Sequence, residues 1–101
     1  MESRLRLQAK LEELLGSQNV YFQPPQNIRM QYPAIVYSLS DIRNTFADDT
    51  VYSQAKFYQL TVIDYDPDSE IVDKVSKLPT IQFDRFYVSD NMNHTVFTIY
   101  H

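Results

Sequence analysis

Phe57-Tyr58-Gln59-Leu60-Thr61-Val62-Ile63-Asp64-Tyr65, then Asp66-Pro67-Asp68-Ser69-Glu70, then Ile71-Val72-Asp73-Lys74-Val75-Ser76-Lys77-Leu78 is the stretch around which the chain must pack. Its first part is β-branched and aromatic, with Tyr58, Leu60 and Val62 on one face, and so reads as a strand. Its last part sets Ile71, Val72, Val75 and Leu78 at i, i+1, i+4 and i+7, the apolar stripe of a short helix. Between the two, Asp66 is expected to cap the helix, with Pro67 at the first helical position, where a missing N–H costs nothing. Asp68 and Glu70 then fall in the first turn, near the positive end of the helix dipole.

Upstream, Ser3 to Leu15 reads as a first helix, with Leu7, Leu11, Leu14 and Leu15 on one side and Gly16 placed for a left-handed C-terminal cap. Its charges oppose the dipole, since Arg4 and Arg6 lie near the start and Glu12 and Glu13 near the end. Leucine packing can override that mismatch; the other reading is that these charges meet a partner. From Ser17 to Tyr32 no period holds. Val20-Tyr21-Phe22 can form a short edge strand that Pro24-Pro25 terminates, and Gln18, Gln23, Gln26 and Gln31 mark polar connector.

Ala34 to Leu39 reads as a compact strand, followed by a polar segment from Ser40 to Thr50 with Asn44 and Asp48-Asp49 as turn residues. Val51 to Tyr65 carries no breaker, and at about 3.3 Å per residue it is too long for one ordinary strand. Val51–Lys56 is therefore expected to be a hairpin arm that leaves the core, its tip carrying Phe46, Val51 and Tyr52 with no cover of their own. Pro79 ends the second helix, and Ile81–Val88 and Thr95–Tyr100 supply two further strands, joined through Ser89 to Asn93. Both faces of the last strand are partly apolar, so it must be central or covered. The order α-β-β-α-β-β predicts a single α+β domain over residues 1–101. It has two layers, with both helices on one face of a mainly antiparallel four-stranded sheet and a projecting hairpin.

Composition narrows the function classes. A net charge of −4 and scattered Lys and Arg weigh against a non-specific grip on nucleic acid. Absent cysteine rules out disulfides and thiolate metal sites, and fits a reducing compartment. No apolar run reaches the roughly 20 residues of a membrane span, and the N-terminal stretch lacks the apolar block of a secretory signal. With one glycine, Gly16, a glycine-built phosphate cradle is excluded. Eight tyrosines and six phenylalanines supply the amphipathic surface that protein contacts favour.

Chemistry-bearing patterns are weak. Asp64-x-Asp66-x-Asp68 resembles the start of a calcium loop, but Ser69 and Val75 stand where that loop needs glycine and a bidentate Glu. His94 and His101 point to opposite faces of a regular strand, so no metal site is expected. Ser38, Ser40 and Ser53 lie in no nucleophile elbow. Asp90-Asn91-Met92-Asn93-His94 reads as a hairpin turn, with a contact role for Met92 and His94 as the alternative. No enzyme activity and no cofactor are expected.

Four segments together resemble the small tail-completion, or tail-terminator, proteins that join head and tail in long-tailed bacteriophages. They are Tyr32 to Tyr37, Phe46 to Tyr52, Tyr58 to Asp64 with Asp66-Pro67-Asp68, and Tyr87 to His94. The resemblance implies a structural virion protein that assembles in the bacterial host cytoplasm. It implies a homo-oligomeric ring, commonly a hexamer, at the neck. Its partners there would be the tail-tube protein and the head-completion or connector protein. Double-stranded DNA would pass through without sequence readout, and no membrane is involved. The contact residues expected on this basis and from the arm are Phe46, Asp48, Asp49, Val51, Tyr52 and Met92. A stand-alone cytosolic α+β module that binds a peptide or small ligand is the competing expectation.

Overall fold

The elements run α1 (Glu2–Leu15), β1 (Val20–Phe22), β2 (Ala34–Ala47), β3 (Thr50–Asp64), α2 (Glu70–Ser76), β4 (Ile81–Ser89) and β5 (Met92–Tyr100). The computed structural model describes residues 2–25 and 27–101, so the connector residue Gln26 lies outside it, as do the side chains of Glu2, Ser3 and Tyr52. The fold is α+β, with a mostly antiparallel sheet in the order β1-β2-β3-β5-β4. It has five strands where four were expected, because Val20–Phe22 pairs in parallel with Ile35–Tyr37 and forms an edge.

Alternation decides which side of the sheet is buried. Register sets Tyr37 opposite Leu60, and Leu60 opposite Phe97, across the three central strands. These join Ile35, Tyr58, Val62 and Ile99 in one cluster with Leu7 and Leu11 of α1 and Val75 of α2. The last strand, apolar on both faces, lies between β3 and β4 as its pattern requires. Gly16 closes α1 at φ +79°, where its amide donates to the Glu12 carbonyl at 2.9 Å.

The charges at the start of α1 are partly used inside the chain. Arg4 lies 4.5 Å from the centre of the Phe22 ring and donates to the Tyr37 hydroxyl at 3.2 Å. That hydroxyl donates in turn to the Gln8 side-chain carbonyl, while the Gln8 amide reaches the Val20 carbonyl and Glu12. Burial raises the Tyr37 pKa above its ordinary value of 10.0, and the hydrogen bond and charge of Arg4 oppose the rise. A raised folded-state pKa stabilises the fold below the ordinary tyrosine pKa, and that contribution is lost as pH rises through the folded value. Urea midpoints measured upward from neutral pH should therefore fall above about pH 10. Part of that fall should be missing in Tyr37→Phe; identical alkaline slopes would contradict the linkage.

The second helix starts later than its sequence indicates. Ser69, not Asp66, is the N-cap; its Oγ accepts from the Ile71 amide at 3.2 Å. Asp64 and Asp66 instead accept the amides of Asp66 and Asp68 at 3.2 and 2.9 Å, so their carboxylates build turns two residues long. Pro67 and Asp68 consequently lie before the helix, which has Glu70 and Asp73 in its first turn and ends at Ser76 before Pro79. Ser69→Ala should cost about 1 kcal/mol in urea unfolding, and Asp66→Ala distinctly less. The reverse order would return the cap to Asp66.

Candidate assembly interface

β2 and β3 continue well past the sheet as a two-stranded arm. They pair from Asp41↔Phe57 to Ala47↔Thr50, whereas β1 covers β2 only at Ile35–Tyr37 and β5 meets β3 only from Phe57 onward. Beyond Lys56, whose carbonyl accepts from the His101 amide at 3.0 Å, both outer edges of the arm are unpaired among the described strands. The arm stretches the molecule to 51 × 25 × 23 Å and its radius of gyration to 14.8 Å, against about 13 Å for a compact domain of this length.

Of the polar segment expected over Ser40–Thr50, the residues up to Ala47 belong to β2 and form the arm's first strand. Asn44 is not a turn residue; its side-chain oxygen accepts from Gln54 across the pair at 3.0 Å. The reversal is confined to Asp48-Asp49, at φ 52° and 63°, a two-residue turn with both centres left-handed. Thr50 Oγ1 closes it on the Ala47 carbonyl at 2.8 Å. A register shift at Ser40 keeps Ile42 in phase with Leu39, and Phe46 stands opposite Val51. One face of the arm thus carries Leu39, Ile42, Phe46 and Val51, with Lys56 opposite Ile42 and the Asn44–Gln54 pair between them, and it continues the buried side of the sheet into open solvent. Phe46 is 63% exposed and Val51 54%.

The opposite face is polar and internally braced. Arg43 pairs with Asp41 at 2.9 Å and covers the Phe57 ring at 4.7 Å, and Phe57 packs on Tyr100.

A second apolar stripe lies on the far edge of the sheet. A shift at Asp84 puts Phe83 and Phe86 on the same side of β4, opposite Phe97 and Thr95. Phe83 and Val88 are 58% and 61% exposed, and no described strand pairs with β4's outer edge. The extra residue at Asp84 and the charge of Arg85 interrupt that edge, which discourages indiscriminate strand addition.

Of the expected contact residues, the arm brings together Phe46, Asp48, Asp49 and Val51, all exposed. Tyr52 is at the shift where two β3 residues face one on β2, and its side chain lies outside the described residues. Met92 is corrected: it begins β5 at 8% exposure, because the reversal occupies only Asp90-Asn91 and the strand starts at once. A buried methionine is not available to a partner. His94 stacks on Tyr87 at 4.7 Å, with Nδ1 3.1 Å from the Met92 carbonyl. The β4 stripe escaped sequence reading because Phe83 and Phe86 are three apart and share a face only through the shift at Asp84.

Among the described residues, no three His, Asp or Glu side chains converge as metal ligands, and no helix is long and apolar enough to cross a membrane. The chain matches no family model, and no curated protein matches it.

Proposed function

We propose that this chain is a structural subunit of a ring at the head–tail neck of a long-tailed bacteriophage, where it terminates the tail tube and lets DNA pass. The observation that carries the reading is the arm, held out by its cross-strand pairing, with Phe46 and Val51 exposed at its tip and no described strand along either outer edge beyond Phe57. A surface of that kind is stabilised when another chain covers it. A contact between the arm and an unlike surface of a neighbouring copy repeats head to tail and closes a ring if the rotation allows. In the proposed subunit both helices share one sheet face, which leaves the other face and the arm for neighbours. The acidic balance of the chain fits a DNA conduit, since cationic walls would retain phosphates.

The test is assembly. Purified protein, alone and with a tail-tube protein, should give ring-shaped particles by negative-stain electron microscopy and a rising mass by light scattering. A chain that remains monomeric at high concentration and in the presence of tube would remove the proposal.

A further inference from the structure

The tip of the arm has a counterpart elsewhere on the surface. A groove of about 520 Å³ between α1 and α2 is lined by Arg6, Lys10 and Lys74, with Ala9, Leu14 and Glu13. Three cations against one carboxylate stand out in a chain with 13 acidic and nine basic residues. Arg6 has a further interaction within the chain, but Lys10 and Lys74 form no ion pair with a described residue. Lys10 also borders an adjoining depression of about 250 Å³ whose walls include Leu7, Leu78, Pro79 and Ile99. The surface therefore combines a cationic lip and an apolar slot.

The arm tip presents the complementary set. Asp48 and Asp49 project from the turn with no cation between Phe46 and Val51, and those two apolar side chains flank the acids. The tip cannot reach its own α1, because it is held out by cross-strand pairing from Asp41↔Phe57 to Ala47↔Thr50. Its partner must be another molecule.

We propose that the arm of one copy seats in the α1–α2 groove of a second copy, with Asp48-Asp49 against Lys10 and Lys74 and Phe46 over the adjoining slot. This rests on the assembly reading above and names the surface that receives the arm. Charge complementarity fixes orientation and rejects wrong docking, while burial of the phenylalanine ring supplies most of the holding energy.

Two full-length variants test the pairing. Asp48→Lys with Asp49→Lys reverses the arm, and Lys10→Glu with Lys74→Glu reverses the groove. All four positions are exposed, so the core is untouched; Asp48 and Asp49 hold left-handed backbone that Lys adopts less readily, so the arm variant's thermal midpoint should fall slightly and the groove variant's should stay close to the wild type. Each variant alone should self-associate at least roughly tenfold more weakly by sedimentation velocity. Mixed together they should recover, because the basic arm then finds an acidic groove and the acidic arm a basic one. Since the natural chain has no cysteine, Asp49→Cys mixed with Lys74→Cys gives a second readout. A disulfide-linked dimer should form on oxidation, even where association is weak.

Reversals without effect on a wild type that assembles would overturn the groove while leaving the ring reading intact. So would a loss that mixing fails to restore together with no cross-link. A wild type that does not assemble, together with a cysteine pair that does not cross-link, would overturn both.

Discussion

Leu60→Ala is expected to destabilise the isolated domain by about 2–5 kcal/mol, the range for truncating a buried leucine. Leu60 is fully buried on β3, between Tyr37 and Phe97, in the cluster that α1 and α2 also enter. Removing it leaves a hole that several elements border, and collapse of any one is resisted by the others. A domain of this size has only about 5–15 kcal/mol in hand. At about 4–8 °C per kcal/mol, the midpoint should drop by roughly 8–40 °C. Leu60→Met, which conserves volume, should cost under about 1.5 kcal/mol. Urea melts of the two variants provide the comparison, and an alanine cost below about 1 kcal/mol would show that the cluster is not the core.

The same alternation made the centre of the fold legible in sequence. Tyr58, Leu60 and Val62 are all buried, and so are Leu7 and Leu11 on α1. Those segments are half-buried, so solvent writes a period into them. Where both faces of a strand meet water no period is written, and Ser40–Thr50 accordingly reads as a polar segment with turns although Asp41 to Ala47 pair with β3. The helix start was misplaced for a different reason. Asp66 and Ser69 are both good caps, and the choice depends on whether the Asp66 carboxylate bonds the next turn first, which it does. Met92 reads as a contact residue because four polar neighbours, Asp90, Asn91, Asn93 and His94, mask a two-residue reversal; once Asp90 and Asn91 take left-handed backbone, the next residue is already inside. The arm itself was visible because its length exceeds any ordinary strand. Its one-sided apolar face was not, since the shift at Ser40 that aligns Leu39 with Ile42 has no sequence signature.

Phe46→Ala should separate assembly from folding. Phe46 makes its only cross-strand partner in Val51, at the far end of the arm, and is among the most exposed large apolar residues of the chain. Little of it is removed from water in the lone domain, so its truncation should move the unfolding midpoint by no more than about 0.5 kcal/mol. In an assembly that covers the tip, the ring is an aromatic anchor of the kind that costs about 2 kcal/mol or more on truncation, which is roughly 30-fold in the association constant. Val51→Ala removes fewer atoms and should lose less, whereas Ser53→Ala, on the polar face, should be neutral in both measurements. Sedimentation over a concentration series reads association, and a urea melt of the same preparations reads folding. If Phe46→Ala instead unfolds the domain without altering the stoichiometry of what remains folded, the tip is packed within one molecule and the finger is not an assembly device.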